Sequence, residues 1–202
     1  MGKKEENLRY FNAWAKLNYD FAPFQWWMTH FQQPVFKSVE KNKPLTFLDV
    51  SCGTGKLIQK LLTVIHPKSK VYGLDFSKEM LKKARQRLPK KVILKEGDVH
   101  NLPFRQNTFD MTVTTESFHH YTNQEEAIQE LARVTKRNGV VMVVDIHFIF
   151  SFINRIFEKL EPGCGYINSK KETKTLFEQA GLQVLKQERS FVFAIMTLGK
   201  KV

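Results

Sequence analysis

The stretch Leu48-Asp49-Val50-Ser51-Cys52-Gly53-Thr54-Gly55 constrains this chain more than any other. It follows Pro44 and an apolar run, Leu45 to Val50, that reads as a short buried strand. Beyond it Leu57, Ile58, Leu61, Leu62 and Ile65 share one helical face from Lys56 to Ile65. Strand, glycine turn and helix together open a nucleotide-binding α/β unit. Gly53 and Gly55 let the backbone turn tightly and approach a ligand with no Cβ in the way.

One charge narrows the ligand. A pyrophosphate cofactor such as NAD wants a bare helix N-terminus with no carboxylate beside it. Here Asp49 ends the strand, and Ile58 stands where the dinucleotide fingerprint has its third glycine. An acid at that place suits a ligand with a cationic amino group. The octapeptide resembles motif I of the class I S-adenosylmethionine-dependent methyltransferases, which reads Asp-aliphatic-Gly-small-Gly-Thr/Ser-Gly. It departs once, with Ser51 at a glycine position whose backbone angle serine tolerates less well.

The resemblance implies S-adenosylmethionine as cofactor and S-adenosylhomocysteine as product. Asp49, Ser51, Cys52, Gly53 and Gly55 would hold its methionine end. Val71 to Asp75 is a second apolar strand ending in an acid, followed by Phe76 and Met80. Asp75 lies at the distance from the glycines at which a carboxylate takes two ribose hydroxyls. The other role for such an acid, capping the next helix, falls to Ser77. A third strand, Val92 to Glu96, leads into Asp98 and Val99, where the family places its adenine contacts. Thr115, at the end of a fourth strand from Met111, completes the expected cofactor set, with Tyr19 from a Tyr-Asp pair seen ahead of motif I in relatives of the quinone-biosynthesis enzymes.

His119 and His120 follow that fourth strand, at the expected topological switch where ligands bind in open α/β sheets. Either histidine could take a proton from an attacking group; equally, one could pack beneath the cofactor and the other close a turn. Val140 to Ile146 reads as a buried fifth strand with Asp145 and His147 near the pocket, after a helix opened by Thr122 and Glu125 and stopped at Asn138-Gly139.

The expected fold is α/β, a Rossmann-like, doubly wound, seven-stranded, mostly parallel sheet with helices on both faces. Residues 1–43, rich in aromatics, form an N-terminal helical cap divided by Pro23 and Pro34. Residues 44–202 form the cofactor domain. Within it 147–168 is a variable insertion on the substrate side. Its Phe148, Phe150, Phe152, Ile153, Ile156, Phe157 and Leu160 would wall an apolar or amphiphilic substrate, pack the interior, or form a dimer interface.

Composition is that of a soluble globular chain, with 42% apolar and 26% charged residues and no window long enough for a membrane span. Two cysteines make no disulfide framework and have no metal-ligand spacing, so a cytoplasmic setting is expected, and transfer from an already activated sulfonium requires no metal. The net charge of +12 is spread along the chain. Its densest run, Lys78 to Lys95, reads as the solvated face of an amphipathic helix; nucleic acid is an unfavoured partner, and peripheral contact with an anionic membrane stays open. A small-molecule methyltransferase, monomeric or homodimeric, is the reading. An RNA or protein methyltransferase and a non-catalytic S-adenosylmethionine-binding regulatory module are its alternatives.

Overall fold

The computed structural model describes residues 3–16 and 22–202; Tyr19 lies outside them. Seven strands form one sheet in the order β3-β2-β1-β4-β5-β7-β6. They are β1 (Thr46–Val50), β2 (Lys70–Asp75), β3 (Ile93–Glu96), β4 (Phe109–Thr115), β5 (Thr135–Ile146), β6 (Leu182–Phe191) and β7 (Ala194–Lys201). The first five run parallel, and β7 is antiparallel to both its neighbours. The chain reverses its winding between β1 and β4, and every parallel strand brings its carboxyl end to that one edge.

The helices are α1 (Lys3–Lys16), α2 (Ala22–Ser38), α3 (Lys56–Leu61), α4 (Lys78–Arg87), α5 (Gln124–Val134), α6 (Ser151–Leu160) and α7 (Lys170–Gln179). They cover the sheet in two apolar layers. Met142, Val144 and Ile146 of β5 pack in one layer with Phe31 of α2, Leu57 of α3 and Leu81 of α4. Val141 and Val143 pack in the other with Ile128 of α5 and Phe177 of α7. Alternation along β5 therefore feeds both faces, which is why the strand reads as a continuous apolar run.

Local chemistry sets most element ends. Ser77 caps α4 by accepting from the Met80 N–H, and Ser169 with Glu172 forms a full capping box on α7. Gly181, at φ 75°, turns the chain out of α7. Asp110 anchors the start of β4 structurally: it accepts from the Thr46 N–H at 2.7 Å and pairs with Lys136 at 2.9 Å.

Several boundaries differ from the sequence expectation. The cap of α5 is Asn123, which accepts from the Glu126 N–H, not Thr122 with Glu125. That helix ends at Val134, and β5 begins at Thr135, because Lys136 is drawn to Asp110 and the Asn138-Gly139 step lies inside the strand, with Asn138 at φ 63°. Pro34 does not divide the N-terminal segment but sits within α2. It removes one ladder donor, while Phe31 and Val35 beside it are fully buried in the core and hold the helix in place.

α2 packs across β5 and β6, whereas α1 lies against α4, with the Ser77 hydroxyl 2.7 Å from Asn12 Oδ1. α6 turns part of its apolar surface outward: Phe152, Ile156 and Leu160 are exposed, as is Phe150 just before it, while Phe157 packs against the core and Asn154 is buried, accepting from the Phe148 N–H.

Candidate active site

A cavity of about 650 Å³ opens at the carboxyl edge of β1, β2, β3 and β4, within the range small-molecule sites occupy. Its floor is the turn after β1. Ser51 and Gly53 both take left-handed backbone there, at φ 62° and 53°. The Ser51 angle is the one a glycine would adopt freely, and its hydroxyl is held 2.9 Å from the Tyr121 hydroxyl, which also meets Thr114 Oγ1 at 2.8 Å. The Cys52 N–H donates to the Leu74 carbonyl at 2.9 Å and the Gly53 N–H to Asp75 Oδ2 at 2.8 Å, so the turn is stitched to the end of β2. Asp75 also accepts from the Ser77 N–H at 2.9 Å.

Gly55 has a different task from Gly53. It does not line the cavity; at φ 79° it starts α3, and a Cβ there would stand 2.6 Å from Leu88 Cδ1. Its missing side chain lets α3 close on α4. Cys52 is a buried small residue of the turn, its thiol pKa pushed up by burial and by Asp75 and Asp49.

The acids differ in what they await. Asp49 is buried, its pKa held well above the usual carboxylate value by burial and then by Asp75, and its Oδ2 has no hydrogen-bond partner. Burying a carboxylate oxygen without a partner is costly; a cationic amino group placed there would repay that cost. Asp75 is pushed up to about 6 by burial, against the pull of its backbone donors. Asp98 accepts from the backbone and ring of His100, at 3.0 and 2.7 Å. These features fit S-adenosylmethionine: an uncompensated buried acid for the amino group, a second acid for the ribose, and a third beside Val99 for the base. Phe76, Met80, Val99 and Thr115 all line the same cavity.

The other end is walled by α1, by the 3-10 turn Phe118–His120 and by the end of α6, through Asn7, Tyr10, Phe11, Trp14, Phe157 and Glu161. His119 Nδ1 lies 2.7 Å from Asp145 Oδ1, and Glu161 faces Nε2 of both histidines, at 3.6 Å from His119 and 3.7 Å from His120. Burial alone would depress the His119 pKa, but the Asp145 and Glu161 carboxylates outweigh it and push it up to about 10. Phe11 packs edge-on to the His120 ring at 5.0 Å, and Asn7 Nδ2 donates to the His120 carbonyl at 3.1 Å.

Most residues singled out in the sequence converge here. His147 does not: it turns away to Arg189, 3.3 Å from Nη2. Of the apolar residues expected to wall the substrate side from 147 to 168, Phe157 lines the cavity, while Phe150, Phe152, Ile156 and Leu160 face solvent. Asn7, His100 and Glu161 were missed. His100 alone had a local signal, its place two residues after Asp98. Glu161 follows an apolar helix with no motif around it.

A family model for the methyltransferase domain matches residues 48–143. A demethylmenaquinone methyltransferase of Desulfitobacterium hafniense is 36% identical over 54% of this chain and 46% of its own length. One from Anoxybacillus flavithermus is 28% identical over 84% of each. The fold is similar to a chain of the complex between the Haloferax volcanii Trm112 methyltransferase activator and a methyltransferase, with TM-score 0.82, 20% identity and coverage of 94% of this chain and 96% of that one. Among the described residues no helix is long and apolar enough to cross a membrane. The acidic glycine turn, the sheet order and these matches together identify the chain as a class I S-adenosylmethionine-dependent methyltransferase resembling the enzymes of quinone biosynthesis.

Proposed function

We propose that this enzyme methylates a small, apolar or amphiphilic acceptor bound between α1, the 3-10 turn and α6. The observation that carries the reading is the make-up of that end of the cavity. Tyr10, Phe11, Trp14 and Phe157 supply an apolar wall, and the His119–His120–Glu161 group supplies a charged feature placed against it. The relatives are named for demethylmenaquinone, which makes that compound the acceptor to test first.

When bound, the cofactor supplies an activated methyl group whose bond to sulfur breaks with its electron pair staying on sulfur. The chain's own work is to bind, align and exclude water. Asp49 with the Ser51–Gly53 turn would hold the amino-acid end, Asp75 with Phe76 and Met80 the ribose, and Asp98 with Val99 the adenine. The acceptor gains the methyl and gives up a proton to solvent.

The test is S-adenosylhomocysteine formation with demethylmenaquinone in detergent micelles, with RNA and bulk protein as rival acceptors. Turnover with the micellar acceptor that falls at least tenfold in Tyr10→Ala and Phe157→Ala supports the reading. Turnover with RNA or protein instead, or cofactor binding with no turnover on any acceptor, sinks it.

A further inference from the structure

The group His119, His120 and Glu161 has a geometry that hydrogen bonding does not account for. Hydrogen-bonded partners here close to 2.7 Å, as His119 Nδ1 and Asp145 Oδ1 do. Glu161 stands off instead, with Oε2 3.6 Å from His119 Nε2 and Oε1 3.7 Å from His120 Nε2. His119 Nε2 and Glu161 Oε2 are buried, and neither has a hydrogen-bond partner. His119 is 1% exposed, so water does not relieve it. Two ligands on one tetrahedral ion at about 2.1 Å each stand ~3.4 Å apart, close to what Glu161 keeps from both rings.

The surroundings also match a metal site. A metal-bound imidazole normally donates its other ring N–H to a carboxylate or carbonyl, which fixes the tautomer and the ring plane. Asp145 does this for His119, leaving Nε2 turned to Glu161. The turn itself is pinned, since the His119 carbonyl accepts from the Gly165 N–H at 2.6 Å, and that of His120 from Asn7. The three ligand atoms lie within 4.8 Å of one another.

We propose that His119 Nε2, His120 Nε2 and the Glu161 carboxylate bind one divalent transition-metal ion, with Asp145 orienting His119. Two imidazoles and one carboxylate favour zinc, cobalt, iron or manganese over magnesium or calcium, which prefer all-oxygen sets. Three protein ligands leave a position open, and here it faces the cavity that holds the acceptor. The ion then takes an ionisable oxygen of the acceptor, a phenol or enol type, and lowers its pKa. The hydroxyl proton leaves to solvent, the oxygen stays on the ion as its anion, and the charge feeds the carbon or oxygen that receives the methyl group. That role rests on the function proposed above; the binding of the ion does not.

The experiment titrates Co²⁺ into the full chain, freed of any affinity tag and of metal, following its d–d absorption, with Zn²⁺ as competitor. S-adenosylhomocysteine is titrated calorimetrically into the same samples. The expected result is one equivalent of Co²⁺ displaced by Zn²⁺, lost in His119→Ala and Glu161→Ala and weakened about 10–100-fold in Asp145→Asn. His119→Gln, close to histidine in volume, guards against misfolding, and retained S-adenosylhomocysteine binding shows each variant folded. No saturable one-equivalent signal, or a signal surviving both ligand removals, overturns the proposal. Metal failing while the nucleoside still binds refutes the site alone; metal binding without nucleoside binding refutes the functional reading alone.

Discussion

The Ser51 hydroxyl sits 2.9 Å from the hydroxyl of Tyr121, and this contact holds a serine in backbone that glycine normally takes, at φ 62°. Left-handed backbone costs a non-glycine residue roughly 1–2 kcal/mol, and a net hydrogen bond returns about 1 kcal/mol. The two nearly cancel. Ser51→Gly is therefore expected to leave the urea midpoint almost unchanged, whereas in a Tyr121→Phe background it raises stability by about 1 kcal/mol. Tyr121→Phe itself, which orphans the buried Thr114 hydroxyl, costs about 1–3 kcal/mol. An additive pair of substitutions would show that the contact does not carry the turn.

Asp49, proposed above to hold the ligand's amino group, is costly to the unliganded protein. Its pKa lies well above the ordinary carboxylate value, from burial first and Asp75 second. A raised acid pKa means that the folded state favours the proton, so unliganded stability falls as pH rises past the unfolded value. Asp49→Asn should make the unliganded protein more stable at neutral pH, a gain that fades as the medium is acidified. Loss of a charge-assisted contact of about 1.5–3 kcal/mol should weaken S-adenosylmethionine about 10–100-fold. Thermal unfolding and calorimetry on one preparation read both. Tight binding by the asparagine variant refutes the assignment.

Asp75 predicts a pH dependence of the opposite sense for the ligand. With its pKa pushed up from 3.8 to about 6, the carboxylate contributes less to folding as pH rises between those values. Ribose hydroxyls donate to the charged form, so affinity should climb as pH rises through about 6 and fall about tenfold per unit below it. Titrations with S-adenosylhomocysteine from acid to neutral pH, repeated with Asp75→Asn, test this. A profile that bends at the same place in the variant assigns the titration elsewhere.

Gly55→Ala meets two obstacles, its φ of 79° and Leu88 Cδ1 at 2.6 Å from the new Cβ. Together these are expected to cost about 2–4 kcal/mol. Because Gly55 stands outside the cavity, cofactor affinity of the folded fraction should change far less than stability. Gly55→Ala with Leu88→Ala should recover the packing part. A loss of affinity as large as the loss of stability would put Gly55 in contact with the ligand.

Local sequence determined most of the cofactor half by itself. Strand, turn and acid succeed one another within a few residues at Asp49, Asp75 and Asp98. A parallel α/β sheet brings all its strand ends to one edge, so a motif on each strand is enough to place them together. Capping at Ser77 was legible for the same reason, since a cap acts within one turn of helix. Boundaries slipped where a distant partner intervened: Asp110 takes Lys136 into β5, and core burial carries α2 through Pro34.

The acceptor half was decided only by tertiary structure. Glu161 reaches His119 and His120 because α6 ends beside the 3-10 turn, and Asn7 and Tyr10 reach the cavity because α1 lies on α4. No spacing along the chain encodes those approaches. They come from how separate apolar faces pack, and a contact made that way leaves no periodic trace around the polar residue it positions.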